Sequence, residues 1–267
     1  MNKKAKVIAL MNNKGGVLKT TIATNLASLL ANHQKKVLLI DLDAQANVSL
    51  SFGINPDQFE YTISDVLINK LDIEQAINKQ IIKNLDLCPA NTKLTNFIGH
   101  KSLSLLSIKE RQNVLHKVLQ KVLLKYDYII IDSSPNLDLL TQNIIVASDE
   151  ILIPVQMEVL AARGLINLTN EINHLKGKIR AIVPTLFDVR TIIHNDIFNQ
   201  IIKIAHDLNI FVTKTKITKS IKAANANAYH RVPLVLTTTK GKWVDQYTNI
   251  VEELGYISKA VENDQTS

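Results

Sequence analysis

The chain has 267 residues, 46% of them apolar and 21% charged, a balance that excludes an intrinsically disordered protein and allows a sizeable buried core. No apolar run is long enough to span a bilayer, and the one behind the N-terminal lysines is too short for a secretion signal. Cys88 is the single cysteine, so neither an intramolecular disulfide nor a cysteine-rich metal centre can form, which points to the cytoplasm; the net charge of +7 points to a polyanionic partner.

In chain order, "KVIALM" (Lys6–Met11) reads as a strand, followed by the loop "NNKGGVLKTT" and a helix over Thr20–Asn32. "VLLIDLD" (Val37–Asp43) is a second strand and "LDLCPA" (Leu85–Ala90) a weaker one. A helix over Ile108–Lys125 leads to the strand "YIIIDSS" (Tyr128–Ser134), then a helix over Leu137–Ala147 and the strand "EILIPVQ" (Glu150–Gln156). Helices over Gly164–Leu175, Asp196–Leu208 and Val244–Leu254 follow, with the strand "IRAIVPT" (Ile179–Thr185) after the first of them. Near-continuous apolar strands fit a parallel sheet buried on both faces, and their alternation with helices predicts a doubly wound α/β fold with helices on both faces. No repeat or Gly/Ser/Pro-rich linker interrupts the pattern, so residues 1–267 are expected to be a single domain with its core at 6–254 and a polar tail over 255–267.

The first loop lies between a strand and a helix N-terminus, where backbone N–H groups and the helix dipole favour an anion. Gly15 and Gly16 allow close approach of phosphate, Lys19 can reach β- and γ-phosphates, and the Thr20 hydroxyl can meet Mg²⁺. The generic motif G-x-x-x-x-G-K-[ST] is not met, because Asn13 and Leu18 stand at its glycine positions. If Leu18 needs a positive φ, the cost is roughly 1–2 kcal/mol. Its side chain is then expected to point away from the phosphates, toward the sheet or a dimer interface. Asp41 and Asp43 end the second strand where ligands bind in open α/β sheets, and Asp132 ends a later one. Each feature alone has a structural alternative: a tight turn for the glycines, a helix N-cap for Asp132, a buried hydrogen-bonded carboxylate for Asp41. Cys88, Trp243 and Tyr247 read as packing residues, and the histidines show no metal-ligand spacing. From Leu208 to Val244 there is no acidic residue, while Lys214, Lys216, Lys219, Lys222, Arg231, Lys240 and Lys242 fall inside. Such a span reads as a footprint for nucleic acid or an anionic membrane, or as a solvated basic face.

"NNKGGVLKTT" resembles the deviant Walker A motif K-G-G-x-G-K-[ST] of the ParA/MinD ATPases. That resemblance implies an ATP-sandwich dimer in which Lys14 reaches the nucleotide of a facing subunit. ATP and Mg²⁺ would be held along Lys14, Gly15, Gly16, Val17, Leu18, Lys19, Thr20 and Thr21. "LLIDLDAQANVSLSFG" is similar to the family's D-x-D-P-Q-G-N segment, which implies that Asp43 orients the attacking water and Asp41 stands near Mg²⁺. "YDYIIIDSSPNLDLLTQNIIVASD" resembles its Walker B region, implying Asp132 as a Mg²⁺ residue beside Thr20, although Ser133 and Ser134 depart from the usual pattern. "CPANTKL", "PVQMEVLAARGLINL" and "VPTLFDVRT" match further family stretches, so the resemblance covers nearly the whole chain. The implied catalytic set is Lys14, Lys19 and Asp43.

Among the branches, a lone cysteine argues against nitrogenase-iron-protein relatives, and the acidic C-terminal helix argues against membrane docking of the MinD kind. The few residues before the first strand leave no room for an operator-reading helix-turn-helix. The short Soj-like ParA type remains. It implies a nucleoid-associated partition ATPase that binds DNA non-specifically and is released when a ParB-like centromere-binding protein stimulates hydrolysis. Arg190, Lys214, Lys216, Lys219, Lys222, Lys240 and Lys242 are the implied DNA contacts, although Thr218 and Lys219 replace the family's usual Pro and Arg. The alternative is a positioning ATPase or scaffold for another cargo, with weak hydrolysis.

Overall fold

The computed structural model describes residues 3–219, 231–238 and 241–258. Its strands are β1 (Lys6–Leu10), β2 (Val37–Leu42), β3 (Asn78–Ile82), β4 (Leu85–Cys88), β5 (Tyr128–Ser133), β6 (Glu150–Gln156) and β7 (Ile179–Thr185). They form one seven-stranded sheet in the order β3-β4-β2-β5-β1-β6-β7, parallel except for β3 against β4. The Val/Ile/Leu runs of β2 and β4 are buried along their whole length, as strands covered on both faces must be. One apolar layer packs helices Ile63–Asn69, Leu139–Ala147, Ala161–His174 and Ile192–Asp207 on one face. The other layer carries the first helix, Lys19–Asn32, and the last, Lys242–Glu253. The doubly wound α/β architecture is therefore as the alternation implies.

Two departures have local causes. The segment expected as one helix over Ile108–Lys125 is broken into Ile108–Gln112 and Val114–Leu119. The buried Asn143 side chain enters the break: its amide donates to the Arg111 carbonyl at 2.8 Å and its oxygen accepts from the Leu115 N–H at 3.1 Å. Those two backbone groups would otherwise have bonded to each other in a continuous helix. Strand β3 was not anticipated because "NKQII" is polar and only partly buried, the pattern of an edge strand.

Val244, Tyr247, Ile250 and Val251 of the last helix are buried in the second of these layers, and Trp243 packs partly buried against it. Among the described residues no helix is long and apolar enough to cross a membrane. Packing extends beyond Leu254, into the segment expected to be a polar tail outside the core. Tyr256 and Ile257 are buried, and the Tyr256 hydroxyl donates to Glu150 at 2.6 Å, which also accepts from Lys6 Nζ at 2.9 Å.

Candidate nucleotide site

Winding the chain from β1 past β5 to β2 opens a crevice at the carboxyl ends of these strands, the place where open α/β sheets bind ligands. The glycine-rich loop fills it. Asn12 fixes the start of the loop: its amide donates to the Pro154 carbonyl at 2.6 Å, and its oxygen accepts from the Lys14 N–H at 2.9 Å. Gly16 has φ 76°, and Leu18, at the head of the first helix, has φ 70° and ψ 25°. Leu18 therefore carries the expected left-handed strain. Its side chain packs partly buried against the apolar layer that carries the first helix, and the residue borders the cavity. Leu18→Gly relieves about 1 kcal/mol of left-handed strain but gives up the side chain's packing, so stability is expected to change by less than about 1 kcal/mol and nucleotide affinity by less than about threefold. Thermal melts and nucleotide titration check this; an affinity changed about tenfold would show that Leu18 itself shapes the phosphate contacts.

Lys19 is almost fully buried, and its ammonium donates to the Lys14 carbonyl at 2.9 Å. Burial lowers its pKa, against the opposing pull of Asp132 and Asp43. The Thr20 hydroxyl donates to Asp132 Oδ2 at 2.6 Å. Asp132 stands beside Asp41 in the pairing of β5 with β2, both side chains wholly buried. Burial pushes Asp132 up to about 7, partly offset by the Thr20 hydrogen bond and Lys19. Burial and the neighbouring Asp132 together push Asp41 well above the usual carboxylate range.

The alternatives separate here. Asp132 is not the helix N-cap; Asp138 is, accepting from the Leu140 and Thr141 N–H groups. Asp132 Oδ1 is buried without a hydrogen-bond partner, which fits a carboxylate waiting for a divalent cation. Both oxygens of Asp41 accept from backbone, from Asp43 at 3.0 Å and Val48 at 3.2 Å. Asp41 thus holds the Asp43 turn and the helix Asn47–Ser51 in place, whereas Asp43 borders the cavity. No cluster of three or more His, Cys, Asp or Glu side chains among the described residues could hold a metal alone. Asp132 and Thr20 fit Mg²⁺ of the kind that takes its remaining ligands from phosphates and water.

The cavity measures about 530 Å³ and is bounded by Gly15, Gly16, Leu18, Lys19, Thr20, Thr21 and Asp43. Asn47, Leu50, Ser51, Pro135 and Arg231 complete its wall; none of them was singled out for this site, since the sequence pattern shows no contact between segments so far apart. Lys14 does not border it. Lys14 lines a separate groove of about 990 Å³ and forms an ion pair there with Glu158, a partner the motif does not indicate. Val17 borders that groove too and is buried, so it departs from the expected place on the phosphate cavity.

The basic candidates divide. Lys214, Lys219 and Lys242 are exposed. Arg190 is exposed but binds Asp188 with two hydrogen bonds of 3.0 Å, which hold that carboxyl down to about 2. Lys216 departs from the expected free surface cation. Its ammonium lies 3.9 Å from the ring centroid of Phe187 and 3.6 Å from that of Phe198, and burial lowers its pKa. Lys222 and Lys240 lie outside the described residues.

A parallel sheet, a glycine-rich loop entering a helix, a buried loop lysine and a Thr–Asp pair at its mouth define a P-loop nucleoside-triphosphatase fold. Residues 5–184 match the family AAA_31, described as an AAA domain. The chain is 34% identical over 255 residues to the sporulation initiation inhibitor protein Soj of Bacillus subtilis, covering 93% of this chain and 98% of that one. Among solved structures it is similar to a plasmid partition protein of Borrelia burgdorferi bound to AMPPNP, with TM-score 0.76, 30% identity and coverage of 95% and 100%. It is also similar to cobyrinic acid a,c-diamide synthase of Mycobacterium smegmatis with an ATP analogue and magnesium, with TM-score 0.79, 26% identity and coverage of 96% and 97%. The chain belongs to the ParA family.

Proposed function

We propose that the chain is an ATP- and Mg²⁺-dependent partition ATPase working as a single domain in the cytoplasm. Its ATP-bound form is a dimer that binds DNA non-specifically on the nucleoid. A ParB-like centromere-binding protein releases it by stimulating hydrolysis. The observation that carries this reading is the division of the two loop lysines. Lys19 serves the chain's own phosphate cavity, while Lys14 lies outside it, on a groove rimmed by Val159, Leu160 and Ile193, which are 75%, 73% and 50% exposed. An apolar rim beside an outward lysine suits a face covered by a second copy, with Lys14 reaching the other copy's nucleotide.

Within one chain, Lys19 and the Gly15–Thr21 backbone bind and orient the phosphates, and Asp43 holds the attacking water. Asp41 keeps Asp43 in position through its backbone. Thr20 and Asp132 would hold Mg²⁺, and the ion would supply neutralising charge to the phosphates.

DNA contact rests on Lys214, Lys219 and Lys242, with Arg190 available once phosphate displaces Asp188. Wild type with ATP is expected to be retained on immobilised duplex DNA at about 50 mM salt and to lose about a thousandfold in affinity by about 200 mM, as counterion release requires. Lys214→Glu, Lys219→Glu and Lys242→Glu together should remove retention even at low salt. Retention that survives all three would sink the interface. The second reading, a positioning ATPase or scaffold for another cargo, is favoured by one observation: Lys216 is caged between rings and Arg190 is tied to Asp188, so fewer free cations stand ready for DNA.

A further inference from the structure

Arg231 reaches the phosphate cavity from a remote part of the chain, and its place there is built. The short helix Leu234–Thr237 follows it, with Leu234 and Val235 buried against the first helix. The Val235 N–H donates to Asn25 Oδ1 at 3.0 Å, and the Asn25 amide donates to the Thr21 carbonyl at 2.7 Å. Asn25 is wholly buried, so one side chain ties this segment to the opening turn of the helix that ends the glycine-rich loop. On its other side Arg231 lies against Gly53. A Cβ added at Gly53 would stand 3.4 Å from the Arg231 carbonyl oxygen and 3.7 Å from its Cβ. Arg231 itself has φ 46°, a left-handed backbone held between these two contacts.

The charge of the cavity gives the position its meaning. Among the described residues Lys19 is the only lysine on its wall, because Lys14 faces the separate groove. A nucleoside triphosphate brings several negative charges to that space. Arg111, Arg180 and Arg190 are committed to the carbonyls of Leu106 and Leu254 and to Asp188 respectively. Arg231 is exposed and has no carboxylate partner among the described residues. A guanidinium presents a planar fork of donors suited to phosphate oxygens.

We propose that Arg231 is a second cationic contact for the phosphates of the bound nucleotide, supplied by the same chain from a segment remote in sequence from the glycine-rich loop. The contact rests on ATP binding and needs neither the dimer nor DNA. Calorimetric titration of Mg·ATP into nucleotide-free wild type, Arg231→Gln and Arg231→Lys tests it, with a thermal melt of each to exclude misfolding. Arg231→Gln is expected to bind ATP about tenfold more weakly, with a shallower dependence of affinity on salt, and Arg231→Lys to recover part of the loss. Arg231→Gln binding within twofold of wild type overturns the contact. So does a loss that lysine does not recover at all, which would assign the residue to the shape of the turn. Wild type that binds no ATP would overturn this proposal together with the nucleotide site, whereas failure of DNA retention alone leaves it standing.

Discussion

Lys14→Ala is expected to leave Mg·ATP affinity within about threefold of wild type while abolishing ATP-dependent dimerisation and lowering turnover about a thousandfold, the scale of a cation supplied in trans to phosphoryl transfer. The separation of effects follows from geometry. Lys14 is absent from the wall of the phosphate cavity, and its ammonium is paired with Glu158 on the neighbouring groove. Both side chains of that pair are nearly half exposed, so the pair is weak and yields readily to a phosphate partner. Its loss should cost the isolated chain less than about 1 kcal/mol. Titration calorimetry, light scattering with ATP and an ATPase assay read the three effects separately. A fall in ATP affinity as large as the fall in turnover would place Lys14 in its own chain's site and remove the basis for the facing subunit.

The second large effect is at Asp132. Asp132→Asn keeps the size of the side chain and an oxygen for the Thr20 hydroxyl, but it removes the charge that a divalent cation needs. Mg²⁺-dependent ATP affinity is expected to fall about a hundredfold, while the smaller metal-free binding is kept. Stability should move the other way. Burial raises the folded pKa of Asp132 to about 7, so the folded chain holds a proton that the unfolded chain has already lost above about pH 4. The Asp132 contribution to the stability of the nucleotide-free protein therefore falls as pH rises from about 4 to about 7. Asparagine makes that slope shallower and raises stability at about pH 8 by on the order of 1–3 kcal/mol. Denaturant melts across this range, without nucleotide, check it. A variant less stable than wild type at about pH 8 would mean that Asp132 is held by compensating contacts and is not waiting for a cation.

What the chain discloses in its sequence is what short-range physics controls. The strands β1, β2, β5, β6 and β7 are apolar runs whose ends were legible to within a residue or so, and the loop, Asp41, Asp43 and Asp132 fall at strand ends where the pattern put them. The rest depends on partners far away in sequence. Asn143 breaks a helix whose own periodicity is unbroken, because it takes the hydrogen bonds of Arg111 and Leu115. Lys216 looks like any other lysine in an acid-free span until Phe187 and Phe198 close around it. Arg231 was legible only as a basic residue. Its place on the phosphate cavity comes from Asn25 and Gly53, contacts that no local pattern encodes. Lys14 was legible as the loop's extra lysine, and its direction became visible only with the groove and Glu158.

The central claim is a partition ATPase whose hydrolysis is controlled from outside. Its most direct test is steady-state ATP turnover with Mg²⁺, measured alone, with duplex DNA, with a candidate centromere-binding partner, and with both. Slow turnover alone that rises at least about tenfold only when DNA and partner are both present is the predicted result. ATP binding accompanied by the same slow turnover in all four conditions would contradict it.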